Sequence, residues 1–162
     1  MIILDRFTTG ILTLNQPNIL VDTTGHAMIT DCGLAVLDSI RSTPDENGHS
    51  ALRWMAPEIL ANQGTFSKEA DVFSFAMVMI EVRSGFRIDT WRISFIRAKV
   101  FTSVVPFNEK PSRAAVLATV GGERPARPIH PNFTDALWTM MQQCWDHDPR
   151  RRPKVLQILC SL

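Results

Sequence analysis

Residues 71–82, Asp-Val-Phe-Ser-Phe-Ala-Met-Val-Met-Ile-Glu-Val, constrain what this chain can fold into more than any other stretch. After Asp71 the run is almost wholly apolar, and a helix that is hydrophobic all round is stable only when other elements enclose it. A helix over 68–82 is therefore expected at the centre of a core, with further helices at 112–120, 134–145 and 155–162. In the second of these three, Phe133, Leu137, Met140, Met141 and Cys144 share one face. Earlier in the chain, Asn18-Ile19-Leu20-Val21 and Ala27-Met28-Ile29-Thr30 are β-prone runs separated by the turn cluster Asp22-Thr23-Thr24-Gly25, and so read as a hairpin. Residues 32–55 turn to Ser, Thr, Pro, Asp, Asn and Gly with few periodic apolar positions, which reads as a long surface loop of the kind that usually carries function or is disordered. The expectation is a mainly α single domain with one small β-hairpin.

With 162 residues, 45% of them hydrophobic, the chain can bury one core. The net charge is +1 and Lys and Arg form no stripe with interleaved aromatics, so no nucleic-acid partner is expected. The cysteines Cys32, Cys144 and Cys160 are odd in number and lack metal-ligand spacing, which suits reduced thiols in an intracellular, cytoplasmic protein. Met1-Ile2-Ile3-Leu4 is cut short by Asp5 and Arg6, too early for a signal peptide, and no stretch approaches the roughly 20 apolar residues of a membrane span.

Several motifs follow one another in a fixed order. Asn18 precedes Ile-Leu-Val, Asp31-Cys32-Gly33 follows the hairpin, and Arg53-Trp54-Met55-Ala56-Pro57-Glu58 closes the long loop. Asp71-Val72-Phe73-Ser74-Phe75-Ala76-Met77-Val78 opens the central helix, and Cys144-Trp145-Asp146-His147-Asp148-Pro149 leads to Arg152-Pro153. Taken singly, Asn18 could cap a strand, Asp31 could begin a loop, and Asp71 could be a helix N-terminal charge favoured by the dipole. Taken together over 17–162, the motifs resemble the C-terminal lobe of a protein kinase, in the style of the tyrosine-kinase-like group of mainly Ser/Thr kinases.

That resemblance implies ATP- and Mg²⁺-dependent transfer of the γ-phosphoryl group to a protein Ser/Thr, or in the wider family Tyr, hydroxyl. It implies that Asn18 and Asp31 hold the Mg²⁺ ions that bridge the ATP phosphates. Glu58 would form a buried ion pair with Arg152, and Asp71 would accept hydrogen bonds from catalytic-loop backbone. The segment from Cys32 to Glu58 would be the activation loop, receiving a protein substrate or partner and offering Ser39, Ser42, Thr43 or Ser50 for phosphate. The sequence does not specify an oligomeric state.

The departures from the family pattern are as informative. The catalytic-loop Asp, five residues before Asn18, is Thr13 here, preceded by Ile11 and Leu12, and the usual Lys is Asn15. Asp5 has the wrong spacing to substitute, so no catalytic residue is assigned. Residues 1–16 match no family motif, no Gly-rich loop or V-A-I-K lysine can be placed, and the nucleotide-binding N-terminal lobe is expected to be absent. The Phe of D-F-G is Cys32, smaller and leaving part of a pocket unfilled, with nothing in the sequence to lower its pKa for a redox role. Phe73 for Trp and Ala76 for Gly are packing changes. Between the central helix and Val105-Pro106-Phe107 an insertion occupies 83–99. It reads either as a genuine insertion or as a retained in-frame intron, since Val82-Arg83 can be encoded by a donor-like GTRAGR and Lys99 by a codon ending in AG. The expected function is a kinase-domain fragment that does not transfer phosphate by itself. The alternatives are a non-catalytic, pseudokinase-like protein-binding module and a truncated gene model.

Overall fold

The computed structural model describes residues 19–21, 27–29, 51–64, 66–81, 105–129 and 133–161. The first described elements are two strands, β1 (Ile19–Val21) and β2 (Ala27–Ile29), paired antiparallel with Ile19 opposite Ile29 and Val21 opposite Ala27. A 3₁₀ turn at Ala51–Trp54 leads into the short helix α1 (Pro57–Leu60) and then α2 (Lys68–Glu81). After these come α3 (Ser112–Val120), α4 (Asp135–Cys144), a second 3₁₀ turn at Pro149–Arg151, and α5 (Val155–Ser161). The described part is thus mostly helical with a single two-stranded ribbon, as the sequence leads one to expect. The insertion at 83–99 and the N-terminal 1–16 lie outside the described residues.

Local chemistry accounts for where the helices start. Ser67 Oγ accepts from the Ala70 N–H at 3.2 Å, and Glu69 and Asp71 put negative charge in the first turn of α2. Pro57 opens α1 at a position where a missing N–H costs nothing. Thr134 Oγ1 accepts from the Leu137 N–H at 3.2 Å and caps α4. Asp148 Oδ1 does the same for Arg150 N–H at 3.0 Å before the second 3₁₀ turn.

The apolar run of α2 forms the centre of the core. Phe73, Ala76 and Met77 are fully buried, Val72 and Val78 nearly so, and α2 packs against α4 and against the first 3₁₀ turn. Around it sit Trp54, Phe107, Ala115, Met140, Met141, Cys144, Trp145 and Ile158. Removing one such Met or Phe side chain costs on the order of 2–5 kcal/mol, so the packing here is a large part of what a domain this size has to spare. The one hydroxyl on the buried face is satisfied: Ser74 Oγ donates to Trp54 O at 2.8 Å and also lies 3.2 Å from Ala70 O. The apolar face expected on α4 is observed, with Met140, Met141 and Cys144 turned inward and Phe133 buried beside them. Trp138 meets Trp145 edge to face, with ring centroids 5.3 Å apart. No helix among the described residues is long and apolar enough to cross a membrane.

Candidate functional site

The ribbon comes first in chain order. Because Ile19 pairs with Ile29, the chain enters β1 and leaves β2 at the same end. In sequence, Asn18 immediately precedes that pair and Asp31 follows it by two positions. Both carry hard oxygen donors of the type a Mg²⁺ ion takes. Asn18 and Asp31 themselves, Thr13, and the loop hydroxyls Ser39, Ser42, Thr43 and Ser50 lie outside the described residues. Among the described residues no cluster of three His, Cys, Asp or Glu side chains could hold a metal.

The loop expected over 32–55 lies outside the described residues up to position 50; residues 51–58 are described, and two arginines fix them. Arg53 is buried and forks into the turn before α3: Nη1 donates to Pro106 O at 3.0 Å and Phe107 O at 2.8 Å, and Nη2 to Lys110 O at 2.8 Å and Ser112 Oγ at 3.3 Å. Burial lowers the Arg53 pKa, with Glu109 opposing the shift. Its Nε is buried and finds no acceptor among the described residues. The turn it holds is strained, since Phe107 has φ of 55° in the left-handed region while its ring is buried. The strain persists because the guanidinium, the Lys110 N–H to Phe107 O bond and the ring's burial all require that conformation.

Arg152 is the second anchor and joins four segments of the chain. Its side chain is 0% exposed. Nη1 and Nη2 donate to Glu58 Oε1 at 2.7 Å and Oε2 at 2.8 Å, a two-point fork across 94 positions of sequence. Nη1 also donates to Glu69 O at 2.9 Å, and Nε to Asp146 O at 2.8 Å. The guanidinium lies over the Phe73 ring, 5.1 Å from its centroid. Arg124 lies over the same ring at the same distance, donating through Nε to Trp145 O at 2.9 Å. Burial, and then the charge of Arg152, lower the Arg124 pKa; Asp146 and Glu58 oppose this. Each such cation–π contact is worth roughly 0.5–2 kcal/mol, so the Phe73 ring helps hold both guanidinium groups in place.

Gly64 completes the anchor from the other side. A Cβ at this position would come 3.0 Å from Glu58 Cγ and 3.2 Å from its Cβ. Gln63 and Gly64 N–H both donate to Glu58 O, at 2.9 and 3.1 Å, so the backbone turns tightly around the carboxylate's stem. Glycine lets the backbone approach this closely without displacing the Glu58 stem.

Of the residues singled out in the sequence, the structure thus brings Glu58 and Arg152 into direct contact and sets Asp71 in the first turn of α2, partly buried, with its N–H donating to Ser67 O at 3.1 Å. The roles of Arg53 and Arg124 were not read from the sequence. Arg53 was visible only as the first letter of a motif, and its four acceptors are mostly backbone carbonyls, which leave no trace in residue types. Arg124 sits in an ordinary Gly-Glu-Arg-Pro turn.

Residues 13–162 match the family of protein tyrosine and serine/threonine kinases. The chain belongs to that family. It is 28% identical over 151 residues to serine/threonine-protein kinase 12 of Arabidopsis thaliana, covering 92% of this chain and 29% of that protein. It is 28% identical over 149 residues to mitogen-activated protein kinase kinase kinase 12 of Rattus norvegicus, and 25% identical over 149 residues to the dual specificity protein kinase shkD of Dictyostelium discoideum. Each of these alignments covers 92% of this chain, and they span 14% and 18% of those two proteins. The chain therefore spans less than a third of the length of these curated relatives.

Proposed function

We propose that this chain supplies the helical, protein-facing part of a Ser/Thr-type kinase domain and does not by itself transfer phosphate. The family reaction moves the γ-phosphoryl group of ATP to a protein hydroxyl, and catalysis in it rests on positioning and charge stabilisation. Asn18 and Asp31 are the residues of this chain suited to hold Mg²⁺, which would neutralise charge on the phosphates. The hydroxyls Ser39, Ser42, Thr43 and Ser50 belong to the loop that would meet the protein substrate. Asp71, one turn into the central helix, is the group that would order the catalytic loop.

The observation that carries this reading is the pair of anchors at Arg53 and Arg152. They fix the loop's last residues, 51–58, to the core, which is what a surface that must present a polypeptide in one register requires. The absence of turnover follows from Thr13. An alcohol cannot take the substrate proton at neutral pH as a carboxylate does, and losing general-base assistance alone costs about 10² to 10⁴ in rate. The test is a radiolabelled phosphotransfer assay on the purified 162 residues with Mg²⁺, ATP and a mixed Ser/Thr peptide substrate. Counts at background are expected. Turnover above background that disappears in Asp31→Ala would refute the proposal, as would micromolar Mg²⁺-dependent ATP binding by calorimetry.

A further inference from the structure

α4, α5 and the second 3₁₀ turn line a groove of about 1110 Å³, with Arg152 of the second anchor among its lining residues. Its floor is apolar, with Leu137 and Met140 from α4 and Ile158 from α5. One wall is cationic, with Arg150, Arg151 and Lys154, and no carboxylate is among the lining residues. Asp148, outside the lining, is spent on Arg150, whose Nε and Nη2 lie 3.0 and 2.8 Å from its oxygens. That contact holds the Asp148 pKa down to about 2, so it stays ionised and committed. Arg151 is only loosely paired, 3.9 Å from the same carboxylate and 74% exposed. Lys154 has no ion pair among the described residues, and its side chain is at the surface.

We propose that this groove docks an acidic, leucine-bearing segment of a partner protein. Cations on the wall select carboxylates, and the apolar floor takes aliphatic side chains spaced along a helix. The floor is recessed between two helices, where a flat bilayer cannot reach and a polypeptide can. The site has no aromatic face on which a base could stack, which disfavours nucleic acid. The inference does not rest on phosphoryl transfer, because the cations it uses, Arg151 and Lys154, take no part in either anchor's contact with residues 51–58.

The full chain is titrated, by fluorescence anisotropy, into a labelled amphipathic peptide of about 14 residues with leucines on one face and glutamates on the other. A lysine-for-glutamate version and phosphatidylserine-containing vesicles run beside it. Saturable binding to the glutamate peptide, weakened by salt, is expected. It should fall by roughly fivefold or more in Arg151→Ala/Lys154→Ala and stay unchanged in Lys68→Ala/Arg113→Ala, which removes the same charge elsewhere. Arg151→Glu gives an independent loss should the double variant melt early. Equal binding of both peptides, a double variant that binds like the parent, binding to vesicles alone, or sedimentation showing that the face is covered by a second copy of the chain would each overturn the proposal.

Discussion

Arg152→Ala should destabilise this chain far more than Arg151→Ala, although the two arginines are adjacent and chemically identical. Arg152 is fully enclosed, and its loss leaves the Glu58 carboxylate, 15% exposed, without its two-point partner. It also strips acceptors Glu69 O and Asp146 O of their donors and removes one cation from Phe73. Breaking one side of a buried ion pair costs about 3–5 kcal/mol, and this is a sizeable share of the roughly 5–15 kcal/mol by which domains are stable. Arg151, 74% exposed and 3.9 Å from Asp148, should contribute less than about 0.5 kcal/mol. The assay is urea unfolding followed by tryptophan fluorescence, since Trp138 and Trp145 report on the same core. The cycle is completed with Glu58→Ala and the double variant, whose cost should fall well short of the sum because removing both partners leaves no orphaned charge. Equal midpoints for Arg152→Ala and Arg151→Ala, or strict additivity of the Glu58 and Arg152 changes, would refute the reasoning.

Three further outcomes follow from the same geometry and sequence. Gly64→Ala should cost about 1–3 kcal/mol by pressing on the Glu58 stem, and that cost should shrink in a Glu58→Ala background, read from the same urea curves. Burial pushes the Cys144 thiol up to about 12, so its reactive thiolate is scarce at pH 8, and iodoacetamide should spare Cys144 in the folded chain while modifying exposed Cys160; peptide mapping that finds Cys144 alkylated without denaturant would contradict the packing. Deleting residues 82–99, which restores the family junction of Glu81 to Val100, should preserve a cooperative thermal transition, and its loss would show that the insertion is needed for the core.

The all-round apolarity of 71–82 sufficed to place α2 at the centre, because no other arrangement hides that surface. The helix ends at 112 and 120 were equally plain, and the face of α4 could be drawn from spacing alone. Glu58 and Arg152 could be paired in advance only through the resemblance of their motifs, since nothing in spacing links positions 94 apart. What sequence could not disclose is the work done by backbone carbonyls. Arg53 and Arg124 are anchored almost wholly by main-chain oxygens, which every residue carries and which therefore write no pattern. The left-handed Phe107 was hidden for a related reason: its conformation is imposed by distant partners and runs against local preference.

The reach of Arg152 has a consequence for the chain as it leaves the ribosome. Glu58 emerges early, while its partner is made 94 residues later, within a few residues of α5. At about 5–20 residues per second, the carboxylate spends on the order of 5–20 s without its cation. Throughout that interval the bridge that Arg152 makes from Glu58 to Glu69 O on α2 is missing, and the face of α2 that packs against α4 stays uncovered until α4 is made. The stretch from Arg152 through α5 therefore acts as a latch, and a chain cut just before Arg152 should be a substrate for chaperones and proteases even though most of the core side chains described here precede it.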